Sequence, residues 1–172
     1  MKVYKKSENG YDISQYKSKS ITPELRLLGQ FNKNSGPLTE LERKSIKFQT
    51  VDYLTQRYSI PVDVAKHLIK TYGDRAFDVA KFFDKDPKNK EKIHEKHPYT
   101  IGELRYAITY EMSMKPGDFI FRRTRLGFLD SESIFQVLPK VMDVYAQEYK
   151  WNDEKKAAET KENYEKIKQM NF

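Results

Sequence analysis

Apolar residues recur at helical spacing along most of this sequence, and residues that start or stop helices lie between the runs. Thr39 with Glu42 forms a capping box ahead of one run, and Thr100 with Glu103 forms another. Alternating runs of β-branched residues, which would indicate strands, do not persist. The sequence therefore predicts an all-α, single-core bundle of about six or seven helices over residues 39–172.

Local signals predict the boundaries of these helices. Pro61 suits a first helical turn, Gly73 favours a helix end, Asp74 starts a third helix, and Pro87 closes it. A short helix is expected to start at the break at residues 115–118, and Asp130 and Asn152 are expected to cap the last two helices. Pro139 lies inside a helical run, so we expect a bend or a restart there, because proline removes a backbone donor. The stripes expected to be buried include Phe48, Leu54, Phe77, Phe83, Ile101, Leu104, Tyr106, Ile108, Tyr110, Met112, Phe119 and Phe128.

Residues 1–38 differ from the rest of the chain. They are polar, rich in Lys, Ser, Asn and Tyr, and they show no sustained period. Residues 34–37 read Asn-Ser-Gly-Pro, which is typical of a turn or a linker. We therefore expect a partly disordered, loosely ordered N-terminal segment ahead of the helical domain.

The composition limits the class of protein. The chain has 172 residues, 38% of them apolar and 33% charged, which is typical of one globular domain. The absence of cysteine excludes disulfides, thiolate zinc sites and a cysteine nucleophile. No apolar stretch approaches the roughly 20 residues that span a bilayer. We expect a soluble fragment without a direct membrane span.

The formal net charge is +7, which raises the possibility of a nucleic-acid partner. Lysines alternate with Asp and Glu along most of the chain, however, and such mixed runs are typical of solvated helix faces. A stand-alone basic helical module that binds nucleic acid or an acidic protein is therefore the alternative hypothesis, and no nucleic-acid partner is the primary expectation.

The three histidines do not form a recognisable catalytic or metal site. His94 and His97, with Glu91 and Glu95 nearby, have a spacing that would suit a metal only on a helix, and they precede Pro98 in a charged loop. His67 lies within a helical stripe, which favours a structural histidine with satisfied hydrogen bonds. The sequence predicts no metal site and no catalytic triad.

Three arginines, Arg122, Arg123 and Arg125, lie within an otherwise apolar run. A buried guanidinium needs carboxylate, phosphate or carbonyl partners. On a helix, Arg122 and Arg125 share a face while Arg123 points elsewhere, so one anion pocket made by all three is not expected. Two interpretations remain: hydrogen bonds that hold the domain together internally, or contacts with a neighbouring domain.

Several segments resemble a known family. They are VDVAKHLIKTYGDRAFDVAKF at residues 62–82, HPYTIGELRYAI at 97–108, RRTRLGFLD at 122–130 and KWNDEKK at 150–156. In this order they resemble the C-terminal domain of the FAD-dependent glycerol-3-phosphate dehydrogenases. The resemblance extends from about residue 51 to 156, and more weakly over residues 21–29.

The resemblance implies a parent enzyme that oxidises glycerol 3-phosphate to dihydroxyacetone phosphate and passes electrons through FAD to a quinone. The flavin half of such an enzyme begins with a glycine-rich turn, and this sequence has no Gly-x-Gly-x-x-Gly segment. The chain is therefore expected to be a helical C-terminal accessory (cap) domain that is not catalytic alone and contains no catalytic, cofactor-binding or metal-binding residues.

The resemblance also implies partners and a location. The expected partner is the flavin-binding domain of the same parent chain, with Arg122, Arg123 and Arg125 as structural or interdomain contacts, and a homodimer is possible. The parent is expected to be peripheral to the mitochondrial inner membrane or, alternatively, to a bacterial cytoplasmic membrane. Whether quinone or oxygen accepts the electrons stays open.

Overall fold

The computed structural model describes residues 40–169, with side chains from residue 48 onward. The helices are α1 (Glu40–Tyr58), α2 (Val62–Tyr72), α3 (Ala76–Lys85), α4 (Ile101–Tyr110), α5 (Leu126–Leu129), α6 (Ser131–Glu148) and α7 (Asp153–Gln169). The described part contains no strand, only an isolated bridge between Lys92 and Thr100. The predicted all-α class and helix count are confirmed. The expectation that residues 1–38 are partly disordered concerns residues that the structure does not describe, and so does the capping box at Thr39.

Side-chain caps start three of the helices where the sequence placed them. Thr100 Oγ1 accepts a hydrogen bond from the Glu103 amide at 3.1 Å. Asp130 and Asn152 cap α6 and α7 in the same way. These caps satisfy amides that have no partner inside the first helical turn, and so local sequence sets the helix starts.

Two irregular turns differ from the sequence predictions. The third helix was expected to start at Asp74, but a 3-10 turn over Gly73–Arg75 precedes α3. The short helix expected after residue 118 is a π-helical turn, Asp118–Arg123, followed by the four-residue α5. Gly73 has a φ of 60°, a conformation that glycine adopts without strain, and it ends α2 as predicted.

The expected restart at Pro139 does not occur, because α6 runs through it as one helix. Pro139 lies on the exposed side of α6. The carbonyl that loses its intrahelical donor belongs to Phe135, which is also exposed, so the helix continues without burying an unpaired carbonyl in the core.

The buried side chains form two clusters that meet on α4. The first contains residues of α1, α2 and α3 together with Tyr106 of α4. The second contains Leu104 and Ala107 of α4 with residues of the π-helical turn, α5, α6 and α7. Gly102 allows α3 to approach α4 closely, since a Cβ atom there would lie 2.7 Å from a ring carbon of Phe83.

Four apolar residues expected in the core are exposed instead: Phe48, Tyr110, Met112 and Phe128. For Met112 the reason is clear. Helix α4 ends at Tyr110, and Met112 adopts a φ of 54°, which turns its side chain away from the helical stripe and leaves it 81% exposed. No helix among the described residues is long and apolar enough to cross a membrane.

Candidate functional site

The most buried carboxylate among the described residues belongs to Glu103, on the first turn of α4. Its side chain is 1% exposed. Both carboxylate oxygens lie within hydrogen-bond distance of His67 Nε2, at 2.9 and 3.0 Å, and Oε1 also accepts a hydrogen bond from the Tyr72 hydroxyl at 3.0 Å. Two donors from α2 thus satisfy a carboxylate of α4.

The Tyr72 hydroxyl extends this contact to the arginine run. Arg123 Nε donates to it at 3.3 Å, and the guanidinium lies 4.7 Å from the centre of the Tyr72 ring. Arg123 Nη2 forms an ion pair with Glu111 just after α4. We refer to His67, Tyr72, Glu103, Glu111 and Arg123 as the Glu103 network.

Burial raises the pKa of two groups in this network. It raises the pKa of the Tyr72 hydroxyl well above its usual value, and the Glu103 carboxylate raises it further, so Tyr72 stays a neutral donor. Burial also raises the pKa of Glu111, against the opposing effect of Arg123. Arg123 therefore balances the negative charge of the partly buried Glu111 carboxylate.

Arg122 and Arg125 lie outside this network. The Arg122 side chain is 84% exposed and pairs with Asp118 at 3.1 Å, one turn earlier. Arg125 is exposed and adopts a φ of 53°, and its side chain makes no hydrogen bond or ion pair within the described residues. The three arginines therefore do not converge on one point.

Thr124 explains why the arginines separate. Its hydroxyl donates to the carbonyls of Phe119 and Ile120, at 3.0 and 3.2 Å, and its own carbonyl accepts from the Tyr99 hydroxyl at 3.1 Å. These bonds end the π-helical turn at a buried residue. The backbone then reverses at Arg125, whose side chain points to solvent.

Large apolar side chains accompany the outward arginines. Phe128 and Leu129, on the turn that follows Arg125, are 55% and 72% exposed. The apolar pattern of this run predicted a core position for Phe128, but α5 has only four residues and buries only one side of its single turn. We call Arg122, Arg125, Phe128 and Leu129 the outer arginine set.

Sequence reasoning missed Glu103 as the centre of the network. The capping box suggested that its carboxylate would bond back to the Thr100 amide, but the carboxylate lies with α2 instead. Glu103 lies 36 residues after His67 and 31 residues after Tyr72 in the sequence. No local spacing signals contacts between residues so far apart. His67 was interpreted as a structural histidine with satisfied hydrogen bonds, and its Nε2 does bond to the Glu103 carboxylate.

The other two histidines lie apart from the Glu103 network. His97 Nε2 is 2.9 Å from Asp130 Oδ2, and His94 Nε2 is 3.1 Å from Gln136 Oε1. Within residues 40–169 no group of three or more metal-ligating side chains has the geometry to hold a metal ion. His97 thus ties the loop before α4 to the N-cap of α6.

The family described as the C-terminal domain of alpha-glycerophosphate oxidase has a sequence model that matches residues 20–156. The chain belongs to this family. The Glu103 network and the outer arginine set lie inside the match, whereas α7 lies almost entirely beyond its end.

The curated proteins that this chain resembles are named as glycerol-3-phosphate dehydrogenases. A probable mitochondrial glycerol-3-phosphate dehydrogenase of Dictyostelium discoideum is 37% identical over 118 residues, which are 69% of this chain and 18% of the relative. The corresponding proteins of Caenorhabditis elegans and Rattus norvegicus are 40% and 37% identical over 62% of this chain and 15% of each relative. The chain spans less than a fifth of the length of these relatives.

Proposed function

We propose that this chain is the helical C-terminal accessory domain of an FAD-dependent glycerol-3-phosphate dehydrogenase. In this proposal the parent enzyme oxidises glycerol 3-phosphate to dihydroxyacetone phosphate and passes electrons through FAD to a quinone. The match to the oxidase C-terminal family over residues 20–156 carries the proposal, and the activity for which the relatives are named supports it.

The residues of this chain do not fit a flavin site. The sequence lacks a Gly-x-Gly-x-x-Gly turn, and the described residues lack the strand that such a turn would follow. We therefore place FAD and the reacting groups in another part of the parent, and the domain alone is not a catalyst. The relatives are named as mitochondrial proteins, and we propose that the parent is peripheral to the mitochondrial inner membrane.

We assign different roles to the arginines on the basis of their surroundings. Arg123 is the internal contact, because it joins α2 to the segment after α4 through Tyr72 and Glu111. Arg122 and Arg125 are the interdomain contacts, because both guanidinium groups are exposed and Arg125 has unused donors. Arginine beside exposed aromatic and aliphatic side chains is the composition that protein interfaces favour.

A domain exchange tests the parent activity. The segment of the Dictyostelium relative that matches this chain is replaced by residues 20–156, and oxidation of glycerol 3-phosphate is measured with a quinone analogue. We expect an active chimera that retains FAD, and an isolated chain that binds neither FAD nor glycerol 3-phosphate. A chimera that folds and retains FAD but shows no activity, together with an isolated chain that binds a short DNA duplex, would favour the basic-module alternative.

Arg125→Glu in the active chimera tests the interdomain role. Reversing a charge at an interface weakens docking, so we expect activity or thermal stability of the chimera to fall while the isolated domain unfolds as before. The unfolding of the isolated domain is measured on the intact chain. There, Lys150→Glu is the matched control for Arg125→Glu. Lys150 is also exposed and has a φ of 52°, so the two changes impose the same backbone demand.

A further inference from the structure

Helix α7 is electrically neutral within a basic chain. Its sequence, DEKKAAETKENYEKIKQ, contains five carboxylates and five lysines, whereas the whole chain has a formal net charge of +7. The excess positive charge therefore lies outside α7. A neutral helix is poorly suited to a nucleic-acid backbone and well suited to a surface of mixed charge.

Part of α7 is attached to the domain, and another part is open. Glu159, Asn163 and Ile167 are buried against the domain, and Lys156 forms an ion pair with Asp143 of α6 at 2.6 Å. Beside this attachment, a broad groove runs between α6 and α7. Its apolar floor is formed by Ala157 and by the stacked rings of Phe135 and Tyr164, and its rims carry Asp153, Lys161, Glu165 and Lys168.

We propose that this groove is a self-association face, on which α7 pairs antiparallel with α7 of a second copy of this chain. A two-fold axis at the level of Asn163 places Lys161 of each copy opposite Glu165 of the other. The two ion pairs are equivalent, as an isologous interface requires. The same register places the small Ala157 beside the long stem of Lys168 from the second copy, and the two Tyr164 rings flank the axis.

Charge complementarity identifies the second copy as the occupant. Lys161 and Glu165 are four residues apart and therefore lie on the same side of α7. Parallel pairing would place like charges at the same level, whereas antiparallel pairing places opposite charges there. A self-complementary pattern of this kind matches another copy of the same helix better than it matches a uniformly charged partner.

The position of α7 relative to the family match makes this face independent of the proposed parent activity. The match ends at residue 156, within the first turn of α7. The groove residues Ala157, Lys161, Tyr164, Glu165 and Lys168 lie beyond that point. Self-association through α7 is therefore tested by oligomeric state alone, and its outcome leaves the role of the outer arginine set untouched.

A charge-exchange experiment on the full chain tests the proposal. Wild type, K161E and E165K are examined by sedimentation velocity over a range of protein concentrations. We expect wild type to form dimers, and each single variant to associate at least about tenfold more weakly, because each places two pairs of like charges across the axis. An equimolar mixture of K161E and E165K should recover the dimer, since one copy then presents carboxylates at both positions and the other presents ammonium groups at both.

K166E is the matched control on the same helix. Lys166 pairs with Glu162 one turn earlier and lies outside the groove, so K166E should sediment as wild type does. Lys161 and Glu165 are exposed, and circular dichroism should show the same helix content in every variant. A wild-type chain that stays monomeric, single variants that associate like wild type, or a mixture that fails to recover the dimer would each overturn the proposal.

Discussion

Two buried glutamates, Glu103 in α4 and Glu159 in α7, are held in opposite ways. Glu103 accepts hydrogen bonds from His67 and Tyr72, which α2 supplies from more than 30 residues away. Glu159 pairs with Lys155 in the preceding turn of its own helix, at 2.7 Å, and its Oε2 has no hydrogen-bond partner within the described residues. Burial alone therefore does not make a carboxylate a link between elements.

The two glutamates differ in whether they fix the position of one helix against another. A carboxylate that receives donors from another helix fixes the position of that helix, because displacement would leave charged groups unsolvated. A carboxylate paired within its own helix would keep the same partner if the helix moved. The region around α4 is thus cross-linked by polar contacts, whereas Glu159 adds no such link between α7 and the rest of the domain.

Glu103→Gln should produce the largest change in stability. Glutamine keeps the shape but loses the charge that His67 and Tyr72 stabilise, and we expect a loss of about 2–3 kcal/mol in the free energy of unfolding. Urea unfolding followed by circular dichroism measures this change. A midpoint equal to that of wild type would show that the network does not hold α2 and α4 together.

Arg123→Ala should be the next largest effect, at about 2 kcal/mol, because it removes the ion pair to Glu111 and a donor to Tyr72. Arg122→Ala and Arg125→Ala should each stay within about 0.5 kcal/mol, since both side chains are exposed. The same urea experiment compares all three. Equal losses at the three positions would contradict the assignment of one internal and two outward arginines.

Asp130→Asn should have a smaller effect that depends on pH. Hydrogen bonds from Ser133 and His97 hold the pKa of Asp130 below its usual 3.8. As the pH falls below that value, the Asp130 carboxyl becomes protonated in the unfolded chain while it stays ionised in the folded chain. The free energy of unfolding that this carboxylate contributes is therefore fully present at neutral pH and is lost as the pH falls.

Asparagine can still cap α6, so the N-cap itself is retained. We expect the variant to be less stable than wild type at pH 7, and the difference to shrink as the pH falls below about 4. Thermal unfolding at several pH values measures it. A difference that is constant from pH 7 to pH 3 would show that the charge of Asp130 contributes nothing.

Glu159→Gln should produce the smallest change, within about 0.5 kcal/mol, because the lost ion pair joins residues four apart in one helix. Set beside Glu103→Gln, it applies the same substitution to a second buried carboxylate. Similar losses at the two sites would mean that burial, and not the origin of the donors, decides the energy.

Local sequence was sufficient to predict several features of the fold. Thr100, Asp130 and Asn152 each bond to the amide three residues ahead, and such contacts depend only on nearby residues. Gly73 ends α2 for the same kind of reason. The motif segments likewise led to the family, because an ordered set of short segments is itself local information.

Other features were decided by tertiary structure. The exposure of Tyr110 and Phe128 depends on where α4 and α5 end and on which helix covers them, so helical spacing alone gave the wrong prediction. Whether Arg123 or its neighbours would point inward depended on the π-helical turn that Thr124 ends.

The sequence by itself determined the helical class, the capped helix starts and the family, since each follows from residues within a few positions of one another. Only the tertiary structure decided that Glu103 would meet His67 and Tyr72 and that Arg123 would join them. The physical reason is that a buried charge needs donors, and its donors here come from another helix, whose position is known only after the chain has folded.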